Sequence, residues 1–114
     1  MLSLKNLSKI LESGKPIVWT MHDMWPSTGI CHHARECTNY QHECHHCPFL
    51  YGGGNKKDLS ARIFRKKKEL YKAAPITFVT CSHWLEEKAK SSALLTGHTV
   101  TSIPNPINTN LFRP

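Results

Sequence analysis

The sequence predicts an α/β fold: a partial Rossmann-like parallel sheet with a cysteine-rich loop inserted into it. Three short runs rich in β-branched and aromatic residues, at 17–21, 76–81 and 99–103, alternate with amphipathic helical patterns. The first of them, IVWTM, is a continuous run of β-branched and aromatic residues that suits a parallel strand covered on both faces. Between the first two runs lies Cys31 to Cys47, CHHARECTNYQHECHHC, with four of the five cysteines and five of the eight histidines. At 114 residues and 39% hydrophobic, the chain can build one modest core.

In order, residues 2–13 place Leu4, Leu7, Ile10 and Leu11 at helical spacing, with Ser3 as N-cap and Gly14 as the stop. Pro16 opens the first strand, and His22-Asp23 follows at its carboxyl end. Ligands of open α/β sheets bind outside the carboxyl ends of strands, so a His beside an Asp there can carry protons or bind a hydroxyl. Equally, His22 can serve only to tie down the loop. Met24-Trp25-Pro26 and Thr28-Gly29 lead as turns into an insertion spanning 29–50.

The cysteines of that insertion fall as C-x5-C-x6-C-x2-C. Two residues between Cys44 and Cys47 let one tight turn aim both thiolates at one ion, and Cys31 and Cys37 supply the other half of a tetrahedral site. Sulfur ligands select zinc or an iron–sulfur centre over magnesium or calcium. Two disulfides, free thiols and a CxxC redox pair compete with structural zinc; no secretory signal is visible, which weighs against bridges. A Cys3His ligand set stays open.

Gly52-Gly53-Gly54 lacks the spacing of a phosphate loop and reads as a flexible connector. The helix at 58–72 begins at Asp58, with Leu59, Ile63 and Leu70 beside Phe64 and Tyr71 as its apolar stripe. Its other face reads as basic: Lys56, Lys57, Arg62, Arg65, Lys66, Lys67, Lys68 and Lys72 stand against Asp58 and Glu69. Most of the net charge of +7 is therefore here, offering either a solvated face or a contact with an anionic membrane surface. Pro75 ends the helix. Ser82 caps a third helix with Trp84, Leu85 and Ala89, ending near Ser92, and Cys81 reads as a small core residue. Pro104-Asn105-Pro106 halts the last strand, and right-handed crossovers join all three. Nothing approaches the roughly 20 apolar residues of a membrane span.

VWTMHDMWPSTGICHH, then CTNYQ, CHHCPFL, the segment Cys81-Ser82-His83-Trp84-Leu85 and finally IPNPI with Phe112 and Pro114 resemble one family. It is the amino-terminal domain of bacterial glycosyltransferases of GT-B fold, family 4, in the branch serving capsule, exopolysaccharide and colanic-acid assembly. The resemblance implies that residues 1–114 are half of an acceptor-side domain, with an interdomain linker starting at 104–114. It implies transfer of a sugar, with retention, from a nucleotide-sugar donor to a saccharide or lipid-linked acceptor. His22 then matches the cleft histidine that contacts the reacting sugars, with Asp23 its neighbour; Ser82 and Asn105 match substrate-binding positions.

The same resemblance departs at both ends. The first strand with its glycine loop, and the donor-binding second domain with its paired glutamates, have no counterpart in the sequence. The expectation is a fragment, from truncation or a split gene, inactive alone, completed by a second chain, and cytoplasmic or peripheral on the inner membrane face. The alternative is a small zinc-binding module whose basic helix meets nucleic acid or another anion. Nucleic acid fits poorly, because the helix offers mostly lysines and no aromatic readers.

Overall fold

The structure, a computed structural model, describes residues 2–113. Its elements are α1 (Leu4–Leu11), β1 (Ile17–Met21), α2 (Leu59–Lys72), β2 (Ile76–Thr80), α3 (His83–Lys90) and β3 (Thr99–Ser102). Single 3-10 turns at Trp25–Ser27, Asn39–Gln41 and Tyr51–Gly53 punctuate the long excursion between β1 and α2. The strands form a parallel sheet in the order β1-β2-β3, with Trp19 opposite Phe78 and Phe78 opposite Val100. The architecture is thus α/β with a three-stranded parallel sheet, the arrangement of a partial Rossmann-like layer.

All three helices are begun by side-chain caps that release the backbone N–H groups of the first turn from solvent. Ser3 Oγ accepts from Asn6 N–H at 3.2 Å, Asp58 Oδ1 from Ala61 N–H at 3.0 Å, and Ser82 Oγ from Leu85 N–H at 3.2 Å. Gly14, two residues past the C-cap Glu12, takes φ 72° as the chain leaves α1. The three glycines before α2 are no loose tether: Gly52, Gly53 and Gly54 all adopt positive φ, which side chains disfavour. A Cβ on Gly54 would collide with the Asp58 carboxylate and the Cys47 N–H, so the segment is a close fit against the cysteine loop.

Alternate residues of each strand point to opposite faces. On one face Trp19 stacks on Phe78 at 5.8 Å between ring centroids, and Tyr71 of α2 meets Phe78 at 5.7 Å. Leu7 and Leu11 of α1, Phe64 of α2, and Leu85 and Ala89 of α3 join the same cluster. The helices and the cysteine loop therefore all lie on one side of the sheet. The other side is largely bare among the described residues: Val18 is 69% exposed, Thr20, Thr99 and Thr101 are exposed, and only Val79 is buried there. This corrects the expectation of strands covered on both faces. A run such as IVWTM records only that both faces suit burial.

Helix α2 is rotated from its predicted orientation. Ala61, Phe64, Lys67 and Tyr71 face the core, whereas Leu59 is 45% exposed and Ile63 and Leu70 lie half-buried on the flank. Lys67, expected on the basic solvent face, has 0% of its surface exposed. The other seven cations of the 56–72 segment are exposed as expected. In α1 the core side is Leu7 and Leu11, with Ile10 turned outward. No helix among the described residues is long and apolar enough to cross a membrane.

Candidate functional site

Strand β1 delivers His22 and Asp23 to the carboxyl edge of the sheet, where the chain turns away. The turn is set by Asp23, whose Oδ1 accepts the Trp25 N–H at 2.8 Å. Its Oδ2 lies 2.8 Å from Nδ1 of His32, which the loop returns to this edge through a Met24 N–H to His32 O bond of 2.9 Å. Burial works to raise the Asp23 pKa, but the hydrogen bonds from His32 and Trp25, with the charges of His32 and Lys67, hold it below its ordinary value. With the carboxylate ionised, His32 Nδ1–H is the donor and Nε2 is left for another partner. The carboxylate sequence reasoning set beside His22 is thus bound to His32 instead.

His22, Asp23, Trp25, Pro26 and His32 line an open cleft of about 270 Å³ at this edge. His22 is exposed. A cleft with two imidazoles, a carboxylate and an indole can bind hydroxyls by hydrogen bonding and a sugar ring by stacking. Ser82 lies two residues beyond the end of the adjacent strand β2, so it shares the sheet edge, though it is not part of the cleft wall. Its Oγ caps α3 while its carbonyl accepts Thr80 Oγ1 at 3.0 Å. Asn105 is exposed in the segment after β3, beyond the Ile103 N–H to Thr80 O bond that extends the sheet at that end. It too is not part of the cleft wall.

A second, smaller cavity lies against the cysteine loop. Cys31, Cys37, Cys44 and Cys47 all line it, with His45 and Tyr40, and its volume of about 10 Å³ is the room of one water-sized sphere. Cys44 and Cys47 are buried, Cys31 and Cys37 half-buried, and none of the five cysteines is disulfide-bonded. His46 takes φ 43° between Cys44 and Cys47, which closes the tight CxxC turn. Burial pushes the Cys44 thiol up to about 12 despite a hydrogen bond from Gly29 N–H. Burial likewise raises Cys31, which also feels the charges of Cys47 and Cys37. The four cysteines line one space, yet among the described residues no group of three or more His, Cys, Asp or Glu side chains stands in metal-holding geometry.

Lys67 ties together the chain that leads from the cleft into the cysteine loop. Its Nζ donates to Trp25 O at 2.6 Å and Thr28 O at 2.9 Å and lies 3.5 Å from the centre of the Trp25 ring. Burial pushes its pKa down to about 7, against the opposing pull of Cys44, Cys31 and Asp23. Sequence reasoning missed both Lys67 and His32. The signal for Lys67 was its place between Phe64 and Tyr71 at helical spacing, whereas His32 meets Asp23 only through the path of the loop. Comparisons with protein-family models, with curated proteins and with solved structures found no match.

Proposed function

We propose that this chain is an acceptor-side part of a GT-B glycosyltransferase that acts in surface polysaccharide assembly. What carries the reading is the cleft at the carboxyl edge of the parallel sheet, where His22, Asp23 and His32 converge beside Trp25. The motif resemblance quoted above adds the reaction class. In this reading His22 contacts the reacting sugar, Asp23 positions the loop and His32, and Ser82 and Asn105 border the path between the domains. In this reading the donor nucleotide sugar belongs to a second domain, and residues 1–114 contribute acceptor binding. The bare sheet face, with Val18 exposed on the edge strand β1, supports a place in a larger layer. The exposed cations of α2 suit an anionic inner membrane surface, where a lipid-linked acceptor would be met.

The test is acceptor binding by the purified chain, followed by amide NMR shifts. A short-chain lipid-linked saccharide should perturb residues 20–33, and His22→Ala should weaken it by about tenfold, the worth of one good polar contact. Nucleotide sugars should leave the spectrum unchanged. No shift with any saccharide, alongside salt-sensitive RNA binding along α2, would replace this reading with the basic binding module.

A further inference from the structure

The peptide unit between Thr28 and Gly29 stands between a buried cation and a buried sulfur. Lys67 Nζ donates to its carbonyl oxygen at 2.9 Å. At the other end of the same unit, Gly29 N–H points to Cys44 Sγ at 3.3 Å. An ammonium on the oxygen polarises the amide and strengthens its N–H as a donor. A neutral thiol is a weak acceptor and gains little from such a donor, whereas an anionic sulfur gains much. Only glycine permits the approach, because a Cβ at position 29 would sit 2.6 Å from Ser60 O and 3.2 Å from Cys44 Cβ. The hydrogen bonds of Lys67 go to two neutral carbonyls, so its charge is balanced by no hydrogen-bonded anion.

We propose that Cys31, Cys37, Cys44 and Cys47 bind one zinc ion as thiolates, and that Lys67, acting through the Thr28–Gly29 peptide, is the buried counter-charge of that centre. Binding converts four thiols and one Zn²⁺ into a tetrathiolate complex of net charge −2 and releases four protons to solvent. The four cysteines already line one cavity, and metal binding would turn their side chains to a common tetrahedral point. Asp58 Oδ2, accepting Cys47 N–H at 2.9 Å, holds the other end of the CxxC turn. The centre also fixes a wall of the cleft, since Thr28 Oγ1 donates to Cys31 O at 2.6 Å and His32 is the next residue. It stands whether or not the cleft takes a saccharide.

The full chain, purified reduced and without oxygen, should carry about one equivalent of zinc, with X-ray absorption reporting sulfur neighbours at about 2.3 Å. Cobalt should replace it and give a thiolate charge-transfer band. Cys44→Ser should lose the metal and Cys81→Ala keep it. In chelator competition Lys67→Met should lower zinc affinity about 10–100-fold, the usual loss for an outer-shell partner. A second reading needs no variant: with an NMR-active cadmium isotope bound, the Gly29 amide proton should couple to the metal through Cys44 sulfur. A folded, metal-free protein with four reactive thiols, two disulfides seen by mass, or an iron–sulfur chromophore would overturn the centre. Wild-type zinc affinity in Lys67→Met, or no Gly29 coupling to cadmium, would overturn the role of Lys67.

Discussion

Asp58 binds four donors at once: Cys47 N–H and Asn55 N–H on one oxygen, Ser60 Oγ–H and Ala61 N–H on the other. Burial works to raise its pKa, and these hydrogen bonds outweigh it and hold the carboxyl well below the usual range. Loss of the cap and of the loop's backbone acceptor together should make Asp58→Ala less stable by about 3 kcal/mol in denaturant unfolding. A carboxyl depressed in the folded state contributes its stability above its unfolded value, near pH 4, and loses it as pH falls through the folded value. The stability gap between wild type and Asp58→Asn should therefore be widest near neutrality and narrow in acid. Parallel pH curves for the two proteins would show that the charge is not what binds the loop. The capping role of Asp58 was legible in the sequence because a cap is local. Its hold on Cys47 was not, since that contact depends on how the glycine turn folds back.

At the scale of one element, α2 carries two separable kinds of lysine. Lys66 and Lys68 are exposed, while Lys67 between them is buried under the Trp25 indole. Reversing Lys66 and Lys68 to Glu should leave the melting temperature nearly unchanged and weaken binding to acidic vesicles by at least about tenfold, each cation near such a surface being worth about 1 kcal/mol. Lys67→Glu should instead unfold the chain, because it buries a carboxylate against two carbonyl oxygens. Equal binding of the double variant to neutral and acidic vesicles would leave α2 as a solvated face. The helix's span was legible from its periodicity. Its rotation was not, because two adjacent stripes, one through Leu59, Ile63 and Leu70 and one through Phe64 and Tyr71, were both apolar enough to face inward. Packing decided between them: Phe64 is buried in the core, Tyr71 reaches the sheet at Phe78, and Tyr71 OH donates to Pro26 O at 2.9 Å. Lys67 is carried inward with them.

At the scale of the whole molecule, the three strands and their parallel pairing followed from composition and spacing, since strands joined by helices leave few alternatives. The bare sheet face did not follow, because coverage depends on what else packs there. The crossover lengths have a further consequence, for the order in which the chain assembles. Strands β2 and β3 are joined through α3 by residues 81–98, whereas β1 reaches β2 only across residues 22–75. Closing a longer loop has a larger entropic cost, and distant pairings form late. In pulse-labelled hydrogen exchange during refolding, protection should appear first in Ile76–Thr80 and Thr99–Ser102 and only later in Ile17–Met21. The cysteine loop would then be the last part to acquire a fixed path, with its thiols the longest exposed to oxidants as the chain folds.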